Sequence, residues 1–296
     1  MTALPQVLLL TGANGFTGRH METAAVTAGY KVHSLAADLT DADAVAREVA
    51  LIIPDVVIHL AAISAITHHD EFAFYRVNVF GTQNLFSALA ELSQKPRAVL
   101  LASSANVYGN CDASPITELE VPAPINHYAF SKLAAEGVAR MFSHLLPIKT
   151  IRPFNYTGVG HDDRFVIPKI VRAYRAGDAV ITLGNLSAER EYNDVRFVVD
   201  TYLQLLKGGD AGETYNLCSG VTYSVAKILQ ILNELTGHSP DIQVDRSLLR
   251  SNELQRLCGA PEKLNTVSVP RLRNDLRELL KWMLEGGVSE SPPAMP

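Results

Sequence analysis

Apolar positions along the chain fall into short unbroken blocks separated by longer stretches with helical periodicity. Val7–Thr11 is a continuous apolar run that stops at glycine, the pattern of a strand covered on both faces. A helix over 16–28, a strand over 30–35 and a helix over 41–51 follow, and "VVIHLAA" (56–62) reads as a third buried strand. The spacing predicts one amphipathic helix over 76–93, a strand in "RAVLLASS" (97–104), a helix from 128 and a fifth strand in "IKTIRPFN" (148–155). Strands alternating with helices imply a parallel sheet, and right-handed crossovers place helices on both of its faces. The expected fold class is α/β, a doubly wound parallel sheet.

After Asn155 the rhythm breaks. A helix is expected near Pro168, and "REYNDVRFVVDTYLQLL" (190–206) reads as a strand or loop entering a helix. "ETYNLCSG" (213–220) adds a strand and "YSVAKILQILNELTG" (223–237) a helix, with loops and a final helix over 250–282. This divides the chain into a wound domain over 1–155, with elements near 192–217 returning to it, and a smaller interleaved cap over 156–284. The last stretch, "EGGVSESPPAMP", lacks apolar periodicity, and 285–296 is expected to be a disordered tail.

Composition narrows the function. The 296 residues are 47% hydrophobic and 19% charged, with a net charge of −5. Lysine and arginine are scattered, which argues against a nucleic-acid groove or an anionic membrane surface as partner. No apolar stretch is long enough to span a bilayer, and Val7–Leu10 is too short and lacks the basic lead of a signal peptide. Cys111, Cys218 and Cys258 stand far apart, in neither CxxC nor zinc-ligand spacing. Free thiols, no bound metal and a cytoplasmic location are expected.

Two motifs carry chemistry. In "VLLLTGANGFTGRH", glycines 12, 15 and 18 lie between a strand and a helix. Gly12 suits the tight turn, Gly15 the approach of a pyrophosphate and Gly18 the helix–sheet contact, while the helix N-terminus favours phosphate. A dinucleotide site of Rossmann type follows. Asp38 is the only acid near the end of the second strand, but "DLTD" (38–41) reads more as a segment touching the adenine. Arg19 either faces a 2′-phosphate or is a solvated helix residue, so NAD and NADP both stand.

The second motif is Tyr128 and Lys132, one helical turn apart, near the strand end that carries Ser103 and Ser104. Ligands bind at such strand ends. An ammonium near a phenol favours the phenolate, a phenol held so exchanges protons with a carbinol or carbonyl oxygen, and a serine holds that oxygen. With a nicotinamide opposite, the chemistry is hydride transfer at carbon. Ser103 serves equally well as a backbone-bonding serine.

TGxxGxxG at 11–18, "HLAA" at 59–62, "SSANVYG" at 103–109, "YAFSK" at 128–132 and "RPFN" at 152–155 occur in that order. Over roughly 5–260 the chain resembles the extended short-chain dehydrogenase/reductases, the NAD-dependent epimerase/dehydratase branch acting on nucleotide sugars. By position, the resemblance makes Ser104 the ligand of the sugar oxygen, Tyr128 the acid/base and Lys132 the ligand of the nicotinamide ribose. Gly12, Asn14, Gly15, Phe16, Thr17, Gly18, Asp38, Leu39, Leu60, Ala61 and Ala62 are the remaining cofactor contacts it implies. Dehydratases of the branch carry Thr-Asp-Glu or Thr-Ser-Glu where this chain has Ser104-Ala105-Asn106, which disfavours 4,6-dehydration.

"LGNLSAEREYNDV" (183–195) and "RSNELQRLCGAPEKL" (250–264) resemble segments of enzymes acting on GDP-mannose and its 4-keto-6-deoxy product. In that resemblance Arg190 and Arg250 meet the diphosphate, Glu253 ribose hydroxyls, Asn155 a diphosphate or sugar oxygen, and Lys169 is a base or phosphate contact. His68 and His69 either touch substrate or are solvated. The whole is most like reductases that convert GDP-4-keto-6-deoxy-mannose to GDP-D-rhamnose. The expected activity is NAD(P)H-dependent reduction of a nucleotide-linked 4-keto-6-deoxy sugar at C4. A 4-epimerase is the alternative within the family, and a non-catalytic NAD(P) sensor the alternative outside it. Apolar residues in the helices over 78–93 and 128–145 (Phe80, Leu85, Leu89, Val138, Met141, Phe142) suggest a homodimer, unless they only pack on their own sheet.

Overall fold

The structure, a computed structural model, describes residues 5–64, 70–248, 254–268 and 274–286. Arg250, Glu253, His68, His69 and residues 287–296 of the tail lie outside them.

The unbroken apolar run of the first strand sets the architecture. β1 (Val7–Thr11) is followed by α1 (Phe16–Thr27), β2 (Lys31–Ser34), α2 (Ala42–Ile52) and β3 (Val56–His59). Next come α3 (Glu71–Tyr75), α4 (Thr82–Glu91), β4 (Ala98–Ala102), α5 (His127–Phe142) and β5 (Ile148–Pro153). Leu8 and Leu10 face Met21 and Ala25 of α1, whereas Leu9 faces Val45 and Val49 of α2 and Leu85 and Leu89 of α4. All of these side chains are fully buried. Burying each leucine contributes about 1.5–3 kcal/mol, so a strand covered on both faces is held far more firmly than one covered on a single face.

The later elements are β6 (Tyr156–Thr157), α6 (Val166–Ala176), β7 (Val180–Leu183), β8 (Glu189–Arg190), β9 (Asn193–Asp194) and α7 (Val195–Lys207). They continue through β10 (Thr214–Leu217), β11 (Tyr223–Ser224), α8 (Val225–Thr236), β12 (Asp241–Val244), β13 (Arg256–Leu257), α9 (Glu262–Asn265) and α10 (Leu276–Leu284). The main sheet is six-stranded in the order β10-β5-β4-β3-β1-β2, and every pairing is parallel. The α/β doubly wound sheet expected from the sequence is thus present. β10, from "ETYNLCSG", returns to it beside β5, and α7 packs with α1 on one face. The strand order reverses between β1 and β3, so the crevice beyond their C-terminal ends is the ligand position of such sheets.

Around this frame α6, α8 and α10 share a separate apolar cluster that includes Ile170, Ile228, Leu232 and Leu279. The parallel pair β7–β12 packs with them. Neither β7 nor β12 stands out in the sequence, because β12 (DIQV) buries no residue completely and depends on its partner for hydrogen bonds. Among the described residues no helix is long and apolar enough to cross a membrane.

The single helix expected over 76–93 is not what forms. α3 is capped by Asp70 and passes through a π-helical turn over 76–81 into α4. The buried Asn78 explains the turn: its amide accepts from Ile63 N (2.8 Å) and donates to Ile63 O (3.1 Å) and to Ser131 Oγ (2.9 Å). A wider turn brings that side chain inward to bind the loop after β3 to α5, as π turns often do near functional sites. Of the apolar residues suggestive of a dimer, Leu85, Leu89 and Val138 are buried within the chain itself. Phe80 and Met141 stay exposed, together with Phe72 and Phe130.

Candidate active site

The glycine loop is as tight as the motif demands. Gly12 has φ +73°, and a β-carbon there would lie 2.7 Å from Ala61 N, the loop that follows β3. A β-carbon on Gly18 would lie 2.1 Å from Gly12 O, so only glycine lets α1 start this close to β1. Gly15 caps α1 without any side-chain bond, which leaves the helix mouth open to an anion. These residues fit a pyrophosphate, and Leu60, Ala61 and Ala62 form the facing loop, half-buried beside Gly12.

His59, which the sequence reading passed over inside "HLAA", locks that loop in place. Thr82 Oγ1 donates to Asn78 O (2.6 Å), so it accepts from His59 Nε2–H (2.9 Å). Nδ1 therefore accepts from Thr11 Oγ1 (2.6 Å), whose oxygen in turn accepts from Ala61 N (3.1 Å). One neutral tautomer satisfies every partner. Burial, with the Lys132 charge as a lesser cause, holds the imidazole down at about 3. Its ordinary value near 6.5 applies in the unfolded chain, which takes up the proton first, so stability falls as pH falls. Acidification from pH 6.5 to pH 4 is expected to remove about 3 kcal/mol through this group. His161, lowered by burial to about 4, adds a smaller loss of the same sign. Urea unfolding at stepped pH reads the slope, and His59→Gln should flatten it; an unchanged slope would contradict the assignment.

Beyond β2 the chain turns on Asp38. Asp38 Oδ1 accepts from Thr40 N and Thr40 Oγ1, both at 2.9 Å, and the backbone bond holds its carboxyl below the usual range. Its own turn thus occupies one carboxylate oxygen. Leu39 is buried against Gly81, and its carbonyl accepts from Asn84 Nδ2 (2.8 Å). Arg19 is exposed on α1, with Nη1 donating to Asn14 O (2.8 Å) and Nη2 to Gly160 O (3.0 Å).

Ser104, Tyr128 and Lys132 do converge beyond β4. Ser104 caps a 3₁₀ turn over 105–108, and its oxygen accepts from Asn106 N (3.2 Å). The Ser104 hydroxyl hydrogen-bonds the Tyr128 phenol, which sits in the first turn of α5. Burial pushes that phenol up to about 12, Ser104 pulls it back, and the neighbouring Tyr156 adds to the rise. The expectation that Lys132 lowers Tyr128 is not met. The buried ammonium instead donates to Ala102 O (2.7 Å) at the end of β4, and burial, opposed by Glu136, lowers it to about 8. Tyr128 is therefore a protonated donor at neutral pH.

Beneath them lies a buried network that the sequence reading missed. Glu136, one turn beyond Lys132, accepts from Ser103 Oγ (2.5 Å), Arg152 Nε (2.9 Å) and Arg152 Nη2 (2.7 Å). Arg152 Nη1 donates to the Tyr108 hydroxyl (2.9 Å), which donates to Asn216 Oδ1 (2.7 Å). Ser103 thus serves the network, and α5, β4, β5 and β10 are fixed relative to one another. The spacing 128, 132, 136 was the available signal, since i, i+4 residues share a helix face.

The outer residues are placed as follows. Asn155 is exposed, and its carbonyl accepts from Asn193 N (2.9 Å). Arg190 lies half-buried in β8 across from Tyr223, with Nη1 donating to Glu189 O (2.8 Å). Its neighbour Glu191 is fully buried and accepts from Gly259 N (2.7 Å), Ser219 N (2.7 Å) and Asn193 Nδ2 (2.9 Å), which pins the Arg190 segment. Lys169 is turned to Thr182 O (2.8 Å) on β7, not held free as a base.

The chain is similar to known proteins over most of its length. The model of the NAD dependent epimerase/dehydratase family matches residues 8–218. The chain is 32% identical to GDP-6-deoxy-D-talose 4-dehydrogenase of Aggregatibacter actinomycetemcomitans, over 91% of this chain and 92% of that one. It is 32% identical to GDP-6-deoxy-D-mannose reductase of Pseudomonas aeruginosa, over 95% and 97%. A Pseudomonas aeruginosa protein solved with NADPH superposes with a TM-score of 0.88 at 30% identity, covering 95% of this chain and 98% of that one.

Proposed function

The chain belongs to the NAD-dependent epimerase/dehydratase family, and on that premise we propose that it reduces the C4 ketone of a nucleotide-linked 4-keto-6-deoxy sugar with NAD(P)H. GDP-4-keto-6-deoxy-D-mannose is the favoured substrate. The observation that carries this reading is a phenol protonated at neutral pH, held by Ser104 beside Lys132 at the mouth of a dinucleotide cradle. A proton donor so placed suits reduction of a carbonyl.

The reduced nicotinamide supplies the hydride. Ser104 and Tyr128 hold the ketone oxygen, and Tyr128 gives its phenolic proton to that oxygen as negative charge develops there. Lys132 holds the nicotinamide ribose. Glycines 12, 15 and 18 admit the pyrophosphate. The cap, 156–284, holds the nucleotide sugar, with Arg190 on its diphosphate and Asn155, just before the cap, on a diphosphate or sugar oxygen; a guanidinium fork suits phosphate oxygens. Ala105 and Asn106 offer no acid for removal of water at C5–C6, which sets this chain apart from the dehydratases.

Incubation with NADPH or NADH and GDP-4-keto-6-deoxy-mannose should consume one cofactor per sugar reduced, read as loss of reduced-nicotinamide absorbance. The same assay decides between the two cofactors. No loss with either, together with cofactor that stays bound through purification, would favour the 4-epimerase instead. The two relatives are named for 6-deoxy sugars that differ at C4, so NMR of the product assigns the hydride face.

Exposed Phe72, Phe80, Phe130 and Met141 lie on α3, the π turn and α5, and large apolar side chains left in water favour association. A homodimer through these helices is proposed, and light scattering should give twice the 32.2 kDa chain mass. A monomer at micromolar concentration would refute it.

A further inference from the structure

Tyr156 belongs to none of the motifs above, yet it stands between the glycine loop and the Ser104–Tyr128 pair. Its hydroxyl lies 2.8 Å from Thr17 Oγ1, and Thr17 is the second residue of α1, at the open helix mouth. On its other side it is near enough to Tyr128 to raise that phenol further. A dinucleotide that runs from the helix mouth to Tyr128 must pass this side chain.

The position is fixed from two directions. β6, which carries Tyr156, pairs with β9 through Tyr156 and Asn193. The segment after it is fastened to α1: Arg19 Nη2 donates to Gly160 O (3.0 Å) and His20 Nε2 to Val159 O (2.9 Å). Phe16 stacks on His161 at 4.3 Å with the rings 11° apart. Tyr156 is therefore presented to the loop rather than left to swing.

Donor accounting points to a missing acceptor. Tyr156 and Thr17 each own one O–H, and their mutual bond uses only one of them. Neither hydroxyl bonds to any other described residue, so one proton is left to give. It is offered where the amide ends and the dipole of α1 favour negative charge.

We infer that the Tyr156–Thr17 hydroxyl pair is a further part of the cofactor site and donates to the pyrophosphate of NAD(P). The inference rests on the dinucleotide reading of the glycine loop and adds one side-chain donor, held by the pair, to a cradle otherwise built from backbone.

Fluorescence titration of the full chain with NADPH and NADH tests it. Tyr156→Phe should weaken binding of both about tenfold, the expected cost of a hydrogen bond to a charged group. Thr17→Val should weaken it as well, and the double variant should be little worse than the more impaired single one, because the pair offers one proton. The thermal midpoint without cofactor should stay close to that of the unmodified chain in both single variants. Dissociation constants within twofold of the unmodified chain in both variants would overturn the inference alone. A large fall in midpoint with unchanged affinity would make the pair a packing feature and also overturn it. Failure of the unmodified chain to bind either dinucleotide would instead remove the reading beneath it. If Tyr156→Phe does not fold, Thr17→Val carries the test.

Discussion

Tyr128→Phe is expected to lower turnover by about 10²–10⁴-fold, the usual contribution of a positioned general acid. The ring and its edge contact with Phe74 (6.2 Å between centroids) survive the change, so α5 should start where it does now. Only the oxygen is lost, and with it the proton for the developing alkoxide and the bond to Ser104. Affinity for NAD(P)H should move by less than about threefold, since Lys132 and the glycine loop are untouched. Turnover and cofactor affinity should therefore separate cleanly. Ser104→Ala should cost less, because Tyr128 keeps its proton.

Arg152→Met is expected to destabilise the protein by about 3–5 kcal/mol, the penalty for leaving a buried charge without its partner. Glu136 and Arg152 have side chains only 2% and 6% exposed, so water cannot take over. Removing the guanidinium strands the Glu136 carboxylate with Ser103 alone and deprives the Tyr108 hydroxyl of its donor. The arrangement is not a net source of stability as such, since a well-packed apolar replacement of both partners often costs little. Glu136→Leu combined with Arg152→Met should accordingly recover part of the loss. Denaturant midpoints of the two variants check both statements, and a single variant within about 1 kcal/mol of the unmodified chain would contradict them. Such a loss would also reach the site, because the pair holds the helix of Tyr128 and Lys132 against the strand end of Ser104.

Local patterns made much of this legible in the sequence. Val7–Thr11 followed by three spaced glycines specifies strand, turn and helix within a dozen residues, and the structure needs glycine where the motif has it. Tyr128 and Lys132 are likewise local, one turn apart on one helix. What stayed hidden depends on distant partners. Glu136 is read only through Arg152, and Tyr108 only through Asn216, 108 residues away. The direction of the Lys132 ammonium is set by the carbonyl of Ala102 on another element, so helical spacing alone misjudged its effect on Tyr128. Asp38 has a similar history: its partner Thr40 is close in sequence, but an acid at a strand end reads equally as a ribose ligand or a turn cap. The π turn at 76–81 escaped because its cause, Asn78 reaching Ile63, is a tertiary bond placed on an ordinary helical pattern.

The central claim is hydride delivery to C4 with Tyr128 as proton donor. The most direct measurement uses cofactor deuterated at C4 of the nicotinamide and GDP-4-keto-6-deoxy-mannose as acceptor. NMR of the product should show one deuterium at sugar C4, lost in Tyr128→Phe along with turnover. A product free of deuterium, or a sugar inverted at C4 without net cofactor oxidation, would contradict the reductase account.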